Sequence, residues 1–69
     1  MRNIIIEGPV FNGEEDENIF FQCIYNLPDF EEVVGAGTEL TIMFSATVSE
    51  TAKDQVEVLC RRWNTKQCN

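Results

Sequence analysis

The apolar residues change period midway along the chain, and that change limits the folds open to it. Leu40, Ile42 and Phe44 alternate with Thr41, Met43 and Ser45. A period of two belongs to a strand with one buried face. Past Thr47 the spacing lengthens. Ala52, Val56, Leu59, Cys60 and Trp63 share one stripe of a helix at about 3.6 residues per turn. A strand and a helix this close in sequence bury their apolar sides against each other. The alternation predicts a strand over 38–46. Thr47 or Ser49 caps the helix after it, and Thr47 with Glu50 has the spacing of a capping box. Glu50 in the first turn and Arg61-Arg62 in the last both suit the helix dipole.

The remaining elements are weaker signals. Residues 3–10 read as a strand, with Ile4 and Ile6 on one face and Ile5 on the other. Gly8-Pro9 ends or bends it, because proline has no ladder donor. Asn12-Gly13 is followed by four acids rather than by alternating apolar residues, which weakens a hairpin there. Within 14–26, Ile19, Phe20, Cys23, Ile24 and Leu27 form one helical stripe. A strand over 18–25 is the alternative, although its alternation is poor. Pro28 stops either element. Residues 30–34 read as a short strand, Gly35-Ala36-Gly37 as a turn, and 64–69 as a polar tail that frays or adds a short edge strand. The expected architecture is a single α+β domain over 1–69. It is a two-layer sandwich in the order strand-helix-strand-strand-helix, with both helices on one face of a mainly antiparallel three-stranded sheet. Ile5, Thr41 and Met43 would then lie on the other face.

Size and charge narrow the function. Sixty-nine residues carry twelve acids, five bases and no histidine, for a net charge of −7. A chain this short buries roughly 60% of its unfolded surface, so two domains do not fit. Direct binding of nucleic acid requires clustered Lys and Arg. Without histidine, acid–base and metal chemistry loses its most common residue. Ile4-Ile5-Ile6 is too short for a signal sequence or a membrane span, so a cytoplasmic location without a membrane partner is expected. Cys23, Cys60 and Cys68 are odd in number and widely spaced, which suits reduced thiols rather than a disulfide framework. Cys23 and Cys60 are expected in the core and Cys68 at the surface; whether Cys60 and Cys68 pair stays open.

Ile4-Ile5-Ile6-Glu7-Gly8-Pro9 resembles the opening of a nucleotide-kinase phosphate loop, where a buried strand enters a glycine turn. The resemblance stops at Pro9. Such a loop continues to a glycine followed by Lys and Ser or Thr, whereas Gly13 precedes Glu14-Glu15, which repel phosphate. The run Glu14-Glu15-Asp16-Glu17 lacks the alternation and central glycine of a calcium loop. Glu31 and Glu32 are adjacent and would point to opposite faces of a strand. No cysteine has a histidine to activate it. No cofactor, no metal and no catalytic activity are expected.

Charge distribution is the most specific signal. Ten acids and no base lie between Arg2 and Lys53, and from Lys53 onward four bases face two acids. The plain explanation is a solvated surface that keeps a small protein soluble. The functional one is an anionic face built from Glu14, Glu15, Asp16, Glu17, Asp29, Glu31 and Glu32. Carboxylates on a helix follow a rise of about 1.5 Å per residue, close to the charge spacing of a duplex at about 1.7 Å. Such a face fits a protein partner whose basic surface ordinarily takes nucleic acid. The expectation is a non-catalytic inhibitor of bacterial or phage type, a nucleic-acid mimic in the manner of toxin-immunity, anti-restriction or anti-CRISPR proteins. The alternative is a homodimer or assembly subunit that buries the open sheet face through Ile5, Met43 and Phe11.

Overall fold

The computed structural model describes residues 1–68. Its elements are β1 (Asn3–Glu7), α1 (Glu14–Tyr25), β2 (Phe30–Ala36), β3 (Glu39–Phe44) and α2 (Glu50–Arg62). The sheet order is β1-β3-β2, with β3 antiparallel to both neighbours. β1 and β2 are therefore parallel, joined through α1, with β3 inserted between them as in a split βαβ unit. One core cluster unites Ile4 and Ile6 of β1, Ile42 and Phe44 of β3, and the buried residues of both helices. Both helices thus pack on one face, and the α+β two-layer architecture read from the apolar pattern is the one observed.

Several boundaries differ, each for a local reason. β1 stops at Glu7: the Gly8 N–H still bonds in register to the Thr38 carbonyl at 2.7 Å, but Thr38 already belongs to the turn before β3 and Pro9 has no N–H to extend the ladder. Residues 14–26 resolve as helix rather than strand, ending at Tyr25. β2 runs two residues past Val34, since the ladder with β3 continues to the Ala36–Glu39 pair. The turn shrinks to Gly37-Thr38, with Gly37 at φ 61°. A two-residue hairpin loop with glycine first favours this left-handed backbone. β3 ends at Phe44; the Ser45 N–H makes the last in-register bond of the ladder, to the Asp29 carbonyl at 2.9 Å, and Asp29 turns the partner strand away with φ 59°. The α2 cap is Ser49, whose hydroxyl accepts from the Ala52 N–H at 3.1 Å. Thr47 does not cap; the neighbouring Val48 is buried and its N–H donates to the Met1 carbonyl.

The tail takes the edge-strand option. The Glu7 N–H donates to the Lys66 carbonyl at 3.0 Å, the Cys68 N–H donates to the Ile5 carbonyl at 2.7 Å, and Ile6 bridges Gln67. The free edge of β1 is thereby covered, as exposed strand edges generally need to be.

On α1 the helix rolls relative to the predicted stripe. Phe20, Ile24 and Leu27 are buried, Cys23 is only half-buried, and Ile19 is 47% exposed. Aromatic packing sets the roll. Phe20 meets Phe11 at 5.4 Å, Phe21 at 5.4 Å and Trp63 at 5.1 Å between ring centroids. Phe11 is consequently part of the helical-side core and does not lie on the open sheet face.

Two substitutions test this account. Truncating a buried Phe costs about 3–5 kcal/mol, and a core of this size supplies about 3–5 kcal/mol in total. Phe20→Ala is expected to abolish the cooperative urea transition followed by circular dichroism. Gly37→Ala meets no atom within 4 Å of the added carbon, so it carries only the left-handed backbone cost of about 1–2 kcal/mol. It should lower the urea midpoint and keep the fold. A Phe20→Ala protein that still melts cooperatively would show that the aromatic cluster is peripheral.

Candidate protein-binding surfaces

The acids of the first two-thirds of the chain are distributed by the topology. β1 and α2 run toward one end of the molecule, and β3 and α1 start there. Contacts at that end confirm it: Glu7 pairs with Glu39, and the Trp63 indole N–H donates to Asp16 Oδ1 at 3.2 Å. Glu7, Glu14, Glu15, Glu17 and Glu39 therefore gather at this end. Asp29, Glu31 and Glu32 lie at the other, beyond the C-terminus of α1. Twelve residues of α1 separate the two groups, a length of about 18 Å. The screening length at physiological salt is about 8 Å, so the groups act as two fields rather than one continuous patch.

Asp16 has a different position from its neighbours. It is half-buried, and its Oδ2 accepts from the Asn12 N–H at 3.0 Å while Oδ1 holds Trp63. The N-cap of α1 is Gly13, which offers no side-chain acceptor. From the first turn Asp16 instead accepts from the residue ahead of the cap and ties the helix start to the end of α2. It is a structural clasp, whereas Glu14, Glu15 and Glu17 are exposed. The dipole favours each of these by about 0.3–1 kcal/mol. Only Glu14 and Glu17 stand at a helical i,i+3 spacing, and their repulsion removes about 0.2–0.5 kcal/mol. The dipole outweighs that repulsion, so an acidic first turn is by itself favourable to the helix.

Neutralisation within the chain is slight. Among the described residues the ion pairs are Lys53–Glu50 at 3.3 Å and Arg61–Glu57 at 2.9 Å, both within α2. No acid from Glu7 through Glu39 belongs to either pair. Arg62 is occupied otherwise, lying 5.3 Å from the Trp63 ring centroid.

Asp29 is exposed with φ 59°, and its carbonyl accepts from the Ser45 N–H and hydroxyl. Its backbone thus locks the start of β2 while its carboxylate faces solvent. Next to it the ladder slips: Phe30 pairs with Phe44 but Glu32 pairs with Met43. Glu31 is the extra residue of a bulge. The slip overrides simple alternation at Glu31-Glu32, leaves both exposed, and brings Val33 rather than Glu32 opposite Ile42.

The face of the sheet away from the helices follows from this register. Its rows are Asn3–Met43–Glu32, Ile5–Thr41–Val34 and Glu7–Glu39–Ala36. The apolar centre contains the expected Ile5, Thr41 and Met43, together with Val34, which is 42% exposed. Val34, Glu7 and Glu39 are absent from the sequence-based site. Parity from Thr41 reaches Glu39, but the bulge conceals the parity of Val34.

Among the described residues no group of three or more Cys, Asp and Glu is arranged to hold a metal ion. A groove between the helices is lined by Cys23, Leu27, Asp54, Val58 and Leu59, and its single carboxylate is exposed. No described helix is long and apolar enough to cross a membrane. All three cysteines are free. Burial, followed by the nearby charges of Cys68 and Glu57, pushes the Cys60 thiol up. Partial desolvation and the Glu39 carboxylate that it hydrogen-bonds raise the Cys68 thiol, with Glu7 adding to the effect and Lys66 opposing it. Neither thiol is thereby activated as a nucleophile.

Asp16→Ala should cost about 1–2 kcal/mol through two lost hydrogen bonds, measured in urea by the emission of Trp63. Glu14→Gln, Glu15→Gln and Glu17→Gln should each stay within about 0.5 kcal/mol; equal losses at all four positions would refute the clasp. A raised thiol pKa places the reactive thiolate at higher pH. The reaction of Cys68 with a thiol reagent should therefore rise along a pH–rate curve displaced above that of an ordinary thiol, and Cys60 should lag behind it in the folded protein. A midpoint displaced downward contradicts the Glu39 contact.

Compared with family models, curated proteins and solved structures, the chain matches none.

Proposed function

We propose that this protein is a non-catalytic binding protein that applies its carboxylates to the basic surface of another protein. A surface that ordinarily takes nucleic acid has the matching charge, so blocking it would make the chain an inhibitor and a nucleic-acid mimic. Toxin-immunity and anti-CRISPR proteins are the functional class this reading fits, by analogy of size and charge. One observation carries the reading: the exposed acids from Glu7 to Glu39 enter no ion pair within the described chain, both pairs being confined to α2. Unneutralised charge of one sign accelerates association with a complementary surface and makes it salt-dependent.

The experiment compares two charge-reversed proteins with the wild type. One carries Glu14→Lys, Glu15→Lys and Glu17→Lys; the other carries Asp29→Lys, Glu31→Lys and Glu32→Lys. The partner is recovered on the immobilised wild-type chain at low salt, and association is then followed as salt is raised. At least one reversal should slow association about tenfold or more, and heparin should compete for the partner. Association indifferent to both reversals and to salt would remove the proposal.

A second reading has one observation in its favour: the open face has an apolar centre of Ile5, Thr41, Val34 and Met43. Such a face can join copies into a homodimer or larger assembly. A dimer that persists unchanged in sedimentation at low and high salt would establish it.

A further inference from the structure

We infer that the open sheet face is the docking surface for a protein partner that presents a flat apolar patch flanked by Lys and Arg, an inference that rests on the binding reading above. The centre of the face is the Ile5–Thr41–Val34 row with Met43 beside it. Glu7 and Glu39 bound it at one end. Glu32, with the bulged Glu31 next to it, bounds it at the other. From the first to the last residue of β1 is about 13 Å, so carboxylates bracket the apolar centre on both sides. A partner covering the centre necessarily comes within a Debye length of about 8 Å of these charges.

Area and charge together identify the occupant. Three strands about 4.8 Å apart and five residues long present a plan area of roughly 240 Å². A stable interface covers about 800 Å² per partner. Contact must therefore spread over the acidic rims. A second copy meets the first through the same patch on both sides of a twofold axis, which sets these rims against an equally acidic surface. Lys66, held beside Glu7 by the tail pairing, and Arg2, just ahead of Asn3, are the cations next to β1. A heterologous partner with basic flanks satisfies both the centre and the rims, and a second copy satisfies only the centre. The groove between the helices has no comparable charge frame, since Asp54 is its single carboxylate.

Three versions of the full chain, each with a photo-crosslinking residue at Val34, Glu15 or Gln55, are irradiated in lysate of the cells that make the protein. At about 0.1 M salt the Val34 version should form an adduct with one other protein, and the cross-linked peptide of that protein should carry Lys or Arg beside apolar residues. The yield should fall about tenfold or more at about 1 M salt, where the screening length is about 3 Å. Unlabelled wild type should compete, and Val34→Glu, a surface change checked for folding by circular dichroism, should compete about tenfold more weakly. A salt-sensitive adduct from Glu15 alone overturns the sheet-face inference and leaves the acidic binding reading standing. An adduct at Val34 that ignores salt overturns the basic partner and the acidic reading together. Adducts only with a second copy, only from Gln55, or from none of the three positions also overturn the inference.

Discussion

Phe20 is the contact on which the rest of the molecule depends. Fully buried, it touches Phe11 from the loop after β1, Phe21 from its own helix and Trp63 at the end of α2. These rings join three segments that have no backbone ladder in common. In a chain this small the sheet supplies one wall of the core, and a single aromatic cluster must orient both helices against it. The Trp63–Asp16 hydrogen bond closes the same junction from the polar side. The roll of α1 follows, and with it the exposure of Ile19 and the partial burial of Cys23.

That junction also determines where the charge goes. Because α1 starts beside the end of α2, its acidic first turn lies at the same end as Glu7 and Glu39. Because α1 then runs the length of the sheet, Asp29, Glu31 and Glu32 are carried to the far end. One run of acids in sequence becomes two fields in space, with an apolar sheet face between parts of both. Asp16 is set apart from its exposed neighbours, since its two oxygens accept from Asn12 and Trp63. The most acidic tetrapeptide in the chain thus combines a structural residue with three solvent-facing ones.

Much of the fold was legible from period and punctuation. The alternation at Leu40, Ile42 and Phe44, the stripe from Ala52 to Trp63, and the stops at Pro9 and Pro28 defined five elements in the order observed. Details that failed were decided by competition at element ends. Thr47 and Ser49 were equally plausible caps, and Val48, drawn into the core, selected Ser49. Gly35 could turn or pair, and the ladder with Leu40 made it pair. The candidate site was less legible. Local parity reached Ile5, Thr41 and Met43, but the bulge at Glu31 changed the parity of β2, and no local signal announced it.

The sequence by itself determined the element types, the two-layer class and the excess of carboxylates, because each of these depends on nearest neighbours, helical spacing or composition. Tertiary structure alone decided which acids face each other, that Asp16 is consumed by Trp63, that Phe11 belongs to the core, and that the tail covers β1. Those outcomes join residues far apart in the chain, such as Asp16 with Trp63 and Glu7 with Lys66. They depend on the relative placement of whole elements, which packing around Phe20 sets and no local pattern encodes.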